Sequence, residues 1–267
     1  IILTSGELNI GDHSGSGSSV YHGPVTGAPG TRLWITSGNG SSTFENTFDV
    51  DWVTMYTGTA FDFQGSYRSR RSDTSAVTTI TGPVLGIKTL NVTGSLTISP
   101  SAGGPVTLTF VDLSLSGNLT SPDDFVVTNS FNWSGGTISG SGTSLELHRT
   151  STLGRGSLVG RHLTNFGTAT LTATRSQPLL LSDSSVFDNQ GTLFAGVGTV
   201  FDSGWLVRGD NSAVKLLNSG VIEKAAGTGE SALLVPIDSQ GSIILTSGEL
   251  NIGDHSGSGS SVYHGPV

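Results

Sequence analysis

Four phrases, LTNFGTATL (163–171), FDNQGTLFA (187–195), LLNSGVIEK (216–224) and IDSQGSIIL (237–245), decide how this chain folds. They align on Asn165-Phe166-Gly167, Asn189-Gln190-Gly191, Asn218-Ser219-Gly220 and Ser239-Gln240-Gly241, at spacings of 24, 29 and 21 residues. Two positions before each anchor stands an apolar residue: Leu163, Phe187, Leu216, Ile237. Four positions after it stands another: Ala169, Leu193, Ile222, Ile243. A β-sandwich has turns at short spacing but no reason to keep one column of a long repeat apolar in every copy. A coil that returns to the same place does. The pattern predicts an all-β chain, a parallel β-solenoid (β-helix) with coils of about 20–30 residues, whose short strands stack in register ~4.8 Å apart. Glycine is expected to supply positive φ at the corners. Asn165, Asn189 and Asn218 are expected to take left-handed geometry and to form a structural ladder, each side chain bonding the copies above and below.

The rest of the chain reads the same way. Val106, Leu108 and Phe110 alternate with threonine, as do Leu96 and Ile98, and each short run ends in Gly, Ser, Asn or Asp. This is period-two strand patterning with turn punctuation, and no long helical periodicity interrupts it. The 267 residues include 39 Gly, one Met and no Cys, with 12% charged and 34% apolar residues. That composition suits a core one side chain thick and excludes disulfide or thiol chemistry. A formal charge of −8 argues against binding nucleic acid through the overall field. No apolar run approaches the ~18 residues of a membrane helix, so no membrane insertion is expected.

The stretch IILTSGELNIGDHSGSGSSVYHGPV at residues 1–25 recurs letter for letter at 243–267. This implies a 242-residue tandem unit, and the repeated ends read as corresponding coils of consecutive units on one continuous solenoid segment, 1–267. The chain opens in mid-pattern, so Ile1 is not expected to be a native N-terminus. Residues 26–80 fit the column pattern least. They are expected to form irregular coils with a protruding loop around Arg68, Arg70 and Arg71, or a small domain of their own.

The phrases FNWSGGTISGSGT (131–143), FDNQGTLFAG (187–196), LLNSGVIEKAAGTGES (216–231) and SGELNI (247–252) resemble the parallel β-helix arrays of giant bacterial surface and adhesin-like proteins. The resemblance spans about residues 85–267 and departs at Ser239, where Asn is expected, and across 26–80. It implies an extracellular or cell-surface segment that builds length. The implied function is a structural repeat of a fibre, stalk, sheath or adhesin, with adjacent copies of the repeat as partners. Neighbouring chains of a fibre or a surface polysaccharide are further candidate partners. The alternative is a β-helix that binds or processes polysaccharide, which would need carboxylates from adjacent coils on one face.

Several residues could carry chemistry. Asp49, Asp51 and Asp62, with Asp123 and Asp124, could bind Ca²⁺, but solvated loop acids explain them as well, and Asp188 and Asp238 lie two coils apart. His13, His22, His255 and His264 sit among Gly and Ser, and exposed loop histidine is the simpler reading than a metal site. No nucleophile–base pair stands out, so no catalytic, cofactor or metal residue is assigned and no enzyme activity is expected. Candidate interaction residues are the basic cluster Arg68, Arg70 and Arg71 and the tripeptide Arg208-Gly209-Asp210, which also reads as a coil-corner turn. Asn39, Asn91, Asn118 and Asn132 begin N-x-S/T triplets that matter only in a glycosylating host.

Overall fold

A computed structural model describes residues 1–11, 17–36, 40–56, 60–99, 104–196, 203–210, 212–225, 227–253 and 261–263. The chain is an all-β parallel β-solenoid, and the described residues contain no helix. Short strands pair in parallel with strands a coil away. Antiparallel pairing is confined to isolated bridges of Thr174 with Ser203 and Gln177. The contacts fall into two compact units, Ile1–Phe125 and Val126–Val267.

In the second unit the predicted columns are the core. Leu163, Phe187, Leu216 and Ile237 lie in register on successive coils. So do Ala169, Leu193, Ile222 and Ile243. All eight are buried. The asparagines form the ladder. Asn165 Nδ2 donates to Asn189 Oδ1 at 2.8 Å, and Asn189 Nδ2 donates to Asn218 Oδ1 at 2.8 Å. Asn218 Nδ2 donates to Ser239 Oγ at 2.9 Å. The departure at Ser239 therefore ends the ladder without breaking it, because a hydroxyl accepts where an amide would. At the other end Asn165 faces Leu147 in register, and its buried Oδ1 meets no donor among the described residues.

The local geometry differs from expectation in two respects. Asn165, Asn189 and Asn218 end the strands Gly156–Asn165, Val186–Asn189 and Lys215–Asn218, and they are extended. Among the described residues only Asp183 and Ser184 combine a side chain with positive φ. The glycine two places after each anchor also lies outside the left-handed region. It is there because a methyl group would not fit. A Cβ on Gly191 would lie 2.1 Å from the carbonyl oxygen of Gly167, and one on Gly220 would lie 2.0 Å from that of Gly191. Glycine lets one coil settle onto the peptide plane of the coil before it.

The first unit uses the same principle with shorter coils. Phe44, Phe63, Ile80 and Ile98 stand in register at spacings of 19, 17 and 18 residues. Residues 26–80 are regular solenoid here, and Arg68, Arg70 and Arg71 lie within the strand Tyr67–Thr74 rather than on a protruding loop. The physical reason is the aromatic core. Phe44 stacks on Phe63 with ring centroids 4.9 Å apart, and Phe48 stacks on Tyr67 at 5.3 Å. The two stacks meet edge to face, Phe48 on Phe63 at 4.8 Å, an arrangement favoured by the ring quadrupoles. Tyr67, Ser69 and Ser72 point inward and join their hydroxyls in a buried chain, Tyr67 to Ser72 at 2.9 Å and Ser72 to Ser69 at 2.5 Å.

Two predictions follow from this packing. Phe187→Asp places a carboxylate between Leu163 and Leu216 without a partner and should cost several kcal/mol, roughly 3–5. Gly220→Ala should also destabilise, because the methyl displaces backbone rather than a side-chain tip. Urea unfolding followed by circular dichroism measures both, and soluble variants of unchanged midpoint would refute the column register. The second prediction concerns pH. Burial favours the neutral phenol of Tyr67 and pushes its pKa up to about 12 from 10.0. The raised value stabilises the fold fully below about pH 10, and that contribution is lost as the pH rises towards 12. The loss should amount to about 2–3 kcal/mol. Urea midpoints of the wild type should fall over this range more steeply than those of Tyr67→Phe.

Candidate functional site

The richest surface chemistry among the described residues lies on an outward face of the first unit. The strands Glu7–Ile10, Arg32–Ile35, Phe48–Met55 and Tyr67–Thr74 stack there. Their alternation turns Leu33 and Val53 inward and leaves two outward columns. One runs Glu7, Arg32, Trp52, Arg71, and the other Asn9, Trp34, Thr54, Asp73. The Arg32 guanidinium lies 3.4 Å from the Trp34 ring centroid and 3.8 Å from that of Trp52. Arg71 approaches Trp52 at 4.5 Å. Trp52 Nε1 donates to Asp73 Oδ2 at 2.7 Å, and Arg71 Nε donates to the same oxygen at 2.9 Å. Trp34 Nε1 donates to Glu7 at 3.2 Å, and Trp34 stacks on Tyr56 at 5.2 Å. Guanidiniums flank the indole of Trp52 in its column. The cluster therefore ties coil to coil through cation–π contacts and charge-assisted hydrogen bonds and leaves Trp52 no open ring face for a sugar.

Beside this cluster an open groove of about 390 Å³ is lined by Asp49, Asp51, Arg68, Arg70, Leu85 and Lys88, among others. Arg70 grips Asp51 with two hydrogen bonds, 2.9 and 3.2 Å, and the Gly30 N–H donates to Asp51 at 2.8 Å. The Arg70 hydrogen bond, aided by that amide, holds the Asp51 carboxyl below the usual carboxylate range despite its burial. Arg68 lies 3.8 Å from Asp49. Arg71 is engaged with Asp73. The basic cluster expected to read a partner is thus spent largely on acids of this same face, while Lys88 and the exposed Leu85 remain on the groove wall.

The other predicted residues are placed as follows. Asp62 accepts from Gln64 at 2.8 Å, and Asp123 caps the Val106 N–H at 2.9 Å. Asp188 and Asp238 share a column with Leu217 between them, so their carboxylates belong to alternate coils. No group of three or more His, Cys, Asp or Glu side chains among the described residues is disposed to hold a metal. His22 bonds Glu45 at 2.6 Å on the surface, and His13, His255 and His264 lie outside the described residues. Arg208 ends the strand Trp205–Arg208, and the Gly209 N–H donates to Leu181. Asp210 accepts from the Ser212 hydroxyl and N–H and from the Asp183 N–H, which lowers its pKa. Arg208-Gly209-Asp210 is a corner whose carboxylate caps the neighbouring turn. Asn91 donates to Asp73, so a glycan there would break the aromatic–ionic cluster. Asn118 and Asn132 lie on the strands Asn118–Thr120 and Asp124–Trp133, and Asn39 is outside the described residues.

The sequence reading missed Glu7, Arg32, Trp34, Trp52 and Asp73. The signal was present, since Arg32, Trp52 and Arg71 recur at 20 and 19 residues, close to the coil length of this unit. No protein-family model matches the chain, and no curated protein and no solved structure matches it either.

The two arginines should behave differently on truncation. Arg32 is 19% exposed and Arg70 is 57% exposed. Arg32→Ala removes a guanidinium packed on two indoles and should cost about 1–2 kcal/mol. Arg70→Ala should cost less than about 1 kcal/mol, a difference that vanishes near 1 M salt. Urea midpoints at low and high salt test the ordering.

Proposed function

We propose that this chain is a structural repeat segment of a long extracellular or cell-surface fibre, stalk, sheath or adhesin, built by end-to-end stacking of solenoid units. One observation carries the reading: the two copies of the duplicated segment occupy the same phase of the coil. Glu7–Ile10 and Glu249–Ile252 are strands with identical bounds in the repeat. Ile2–Leu3 corresponds to the end of Ser242–Leu245, and Ser19–Tyr21 to Val262–Tyr263. The glycines agree as well, Gly6 and Gly248 with φ of 75° and 72°, Gly11 and Gly253 with 130° and 119°. A period of 242 residues that returns the backbone to the same phase allows coiling to continue from one unit into the next. Nearest-neighbour stacking of this kind stabilises in proportion to the number of joints. In this reading the partners are adjacent copies of the repeat, and the chain carries no catalytic activity, binds no nucleic acid and inserts in no membrane.

Chains of one, two and four 242-residue units test it. Contour length in electron micrographs should grow by a constant step per unit, and the melting temperature should rise with unit number. Units that melt independently at one temperature, with kinks between them, would overturn the fibre. A second reading, binding of an anionic surface polysaccharide, draws on the groove wall that carries Lys88 and Arg68. Lys88→Glu abolishing retention on an acidic polysaccharide column would favour it.

A further inference from the structure

The duplicated segment makes different use of its two copies. At residues 1–25 its forward edge is covered. Ile2 and Leu3 pair with Thr26 and Gly27. Glu7–Ile10 pairs residue by residue with Arg32–Ile35, and Ser19–Tyr21 pairs with Ser42–Phe44. Side chains lock this register: Trp34 donates to Glu7 at 3.2 Å, and Thr36 Oγ1 to Asn9 Oδ1 at 3.1 Å. Gly11 is obligatory there, because a Cβ would lie 1.4 Å from the Thr36 carbonyl oxygen.

At residues 243–267 the same sequence has a coil behind it only. Ser242–Leu245 and Glu249–Ile252 pair backwards with Val221–Lys224 and Glu230–Leu234. The consequences are visible residue by residue. Leu3 is 6% exposed, and its counterpart Leu245 is 53% exposed. A Cβ on Gly253, the counterpart of Gly11, would meet nothing nearer than Ser261 Oγ at 3.9 Å. Glu249 lies directly opposite Glu230, a like-charge pair that a cation from a following coil would relieve. The second copy thus bears the exposed leucine, the unused glycine and the acid that the first copy satisfies with residues 26–36.

We infer that the edge formed by residues 244–253 docks a second copy of this chain at its residues 26–36, in the register that residues 2–11 hold within one chain. Ile244 then pairs with Thr26 of the second copy, Glu249 with its Arg32, Asn251 with its Trp34 and Ile252 with its Ile35. Glu249 gains the guanidinium and the indole N–H that Glu7 has, and the Thr36 carbonyl fills the space above Gly253. Residues 1–25 are the resident competitor for that receiving edge, so an intact chain carries its own plug. This joint rests on the fibre reading and specifies it further.

Removal of the plug is the test. The intact chain should remain monomeric in light scattering, and a chain of residues 26–267 should assemble head to tail as concentration rises. Intact chain added in excess should shorten the assemblies, because it docks by its C-terminal edge and offers no receiving edge. Gly253→Ala in the 26–267 chain should abolish assembly while its circular dichroism stays unchanged. The register is read by disulfides, since the chain has no native Cys. For this, and to guard against misfolding of the truncated chain, a second copy of residues 26–267 is fused after Val267. Glu249→Cys should cross-link to a cysteine replacing the second copy's Arg32, and far more than to one replacing its Trp34. Efficient cross-linking at the shifted position would overturn the joint while leaving the fibre reading standing. A folded 26–267 chain that stays monomeric, together with no cross-link in the fused chain, would also overturn it.

Discussion

Everything in this fold depends on how closely one turn of backbone can lie on the next. Parallel strands stack at ~4.8 Å only if no side chain intervenes where the chain turns. At Gly191 and Gly220 the carbonyl of the preceding coil occupies the place a methyl group would take. The same contact recurs in the first unit, where a Cβ on Gly82 would lie 1.9 Å from the Gly65 carbonyl. Glycine abundance in this chain is thus chiefly a packing requirement of the stack. It fixes the vertical spacing, and the spacing puts like residues over like at van der Waals distance.

Once that spacing is set, side chains act as columns. Phe44 meets Phe63 face to face, asparagine amides meet asparagine carbonyls, and a guanidinium meets two indoles. The asparagine ladder is directional, because each Nδ2 donates towards the C-terminal end. One amide oxygen, that of Asn165, is therefore left over at the top. A hydroxyl closes the other end. The interior can stay one side chain thick because hydrogen bonds and ring stacking between coils stabilise what a larger globule would obtain from a wide apolar core.

The fold was legible wherever a column kept one chemical type. The four anchor phrases made Leu163, Phe187, Leu216 and Ile237 readable as core. The first unit was harder, because its columns mix types: Ser72 and Leu90 share a position, as do Thr78 and Leu96. Its coils are also shorter, so a search tuned to 20–30 residues passes over them. Arg68, Arg70 and Arg71 looked like a loop because consecutive charge seldom marks a strand, yet Tyr67, Ser69 and Ser72 supply the inward side. The aromatic–ionic cluster is assembled from five coils, and only the register brings Glu7, Trp52 and Asp73 together. No local motif announces it.

Coil length has a mechanical corollary. Each coil holds between 17 and 29 residues, which when drawn straight span about 55–105 Å, at ~3.3–3.6 Å per residue. Folded, the same coil adds only the ~4.8 Å between stacked strands. Tension applied along the polypeptide therefore peels coils from an end in discrete steps, each releasing more than ten times the length it occupied. A tether made this way yields under load without snapping and shortens again when slack returns. The step sizes differ from coil to coil, short where Phe63 stands over Ile80 and longest where Phe187 stands over Leu216. A force–extension trace would consequently carry the order of the coils as a sequence of unequal strides.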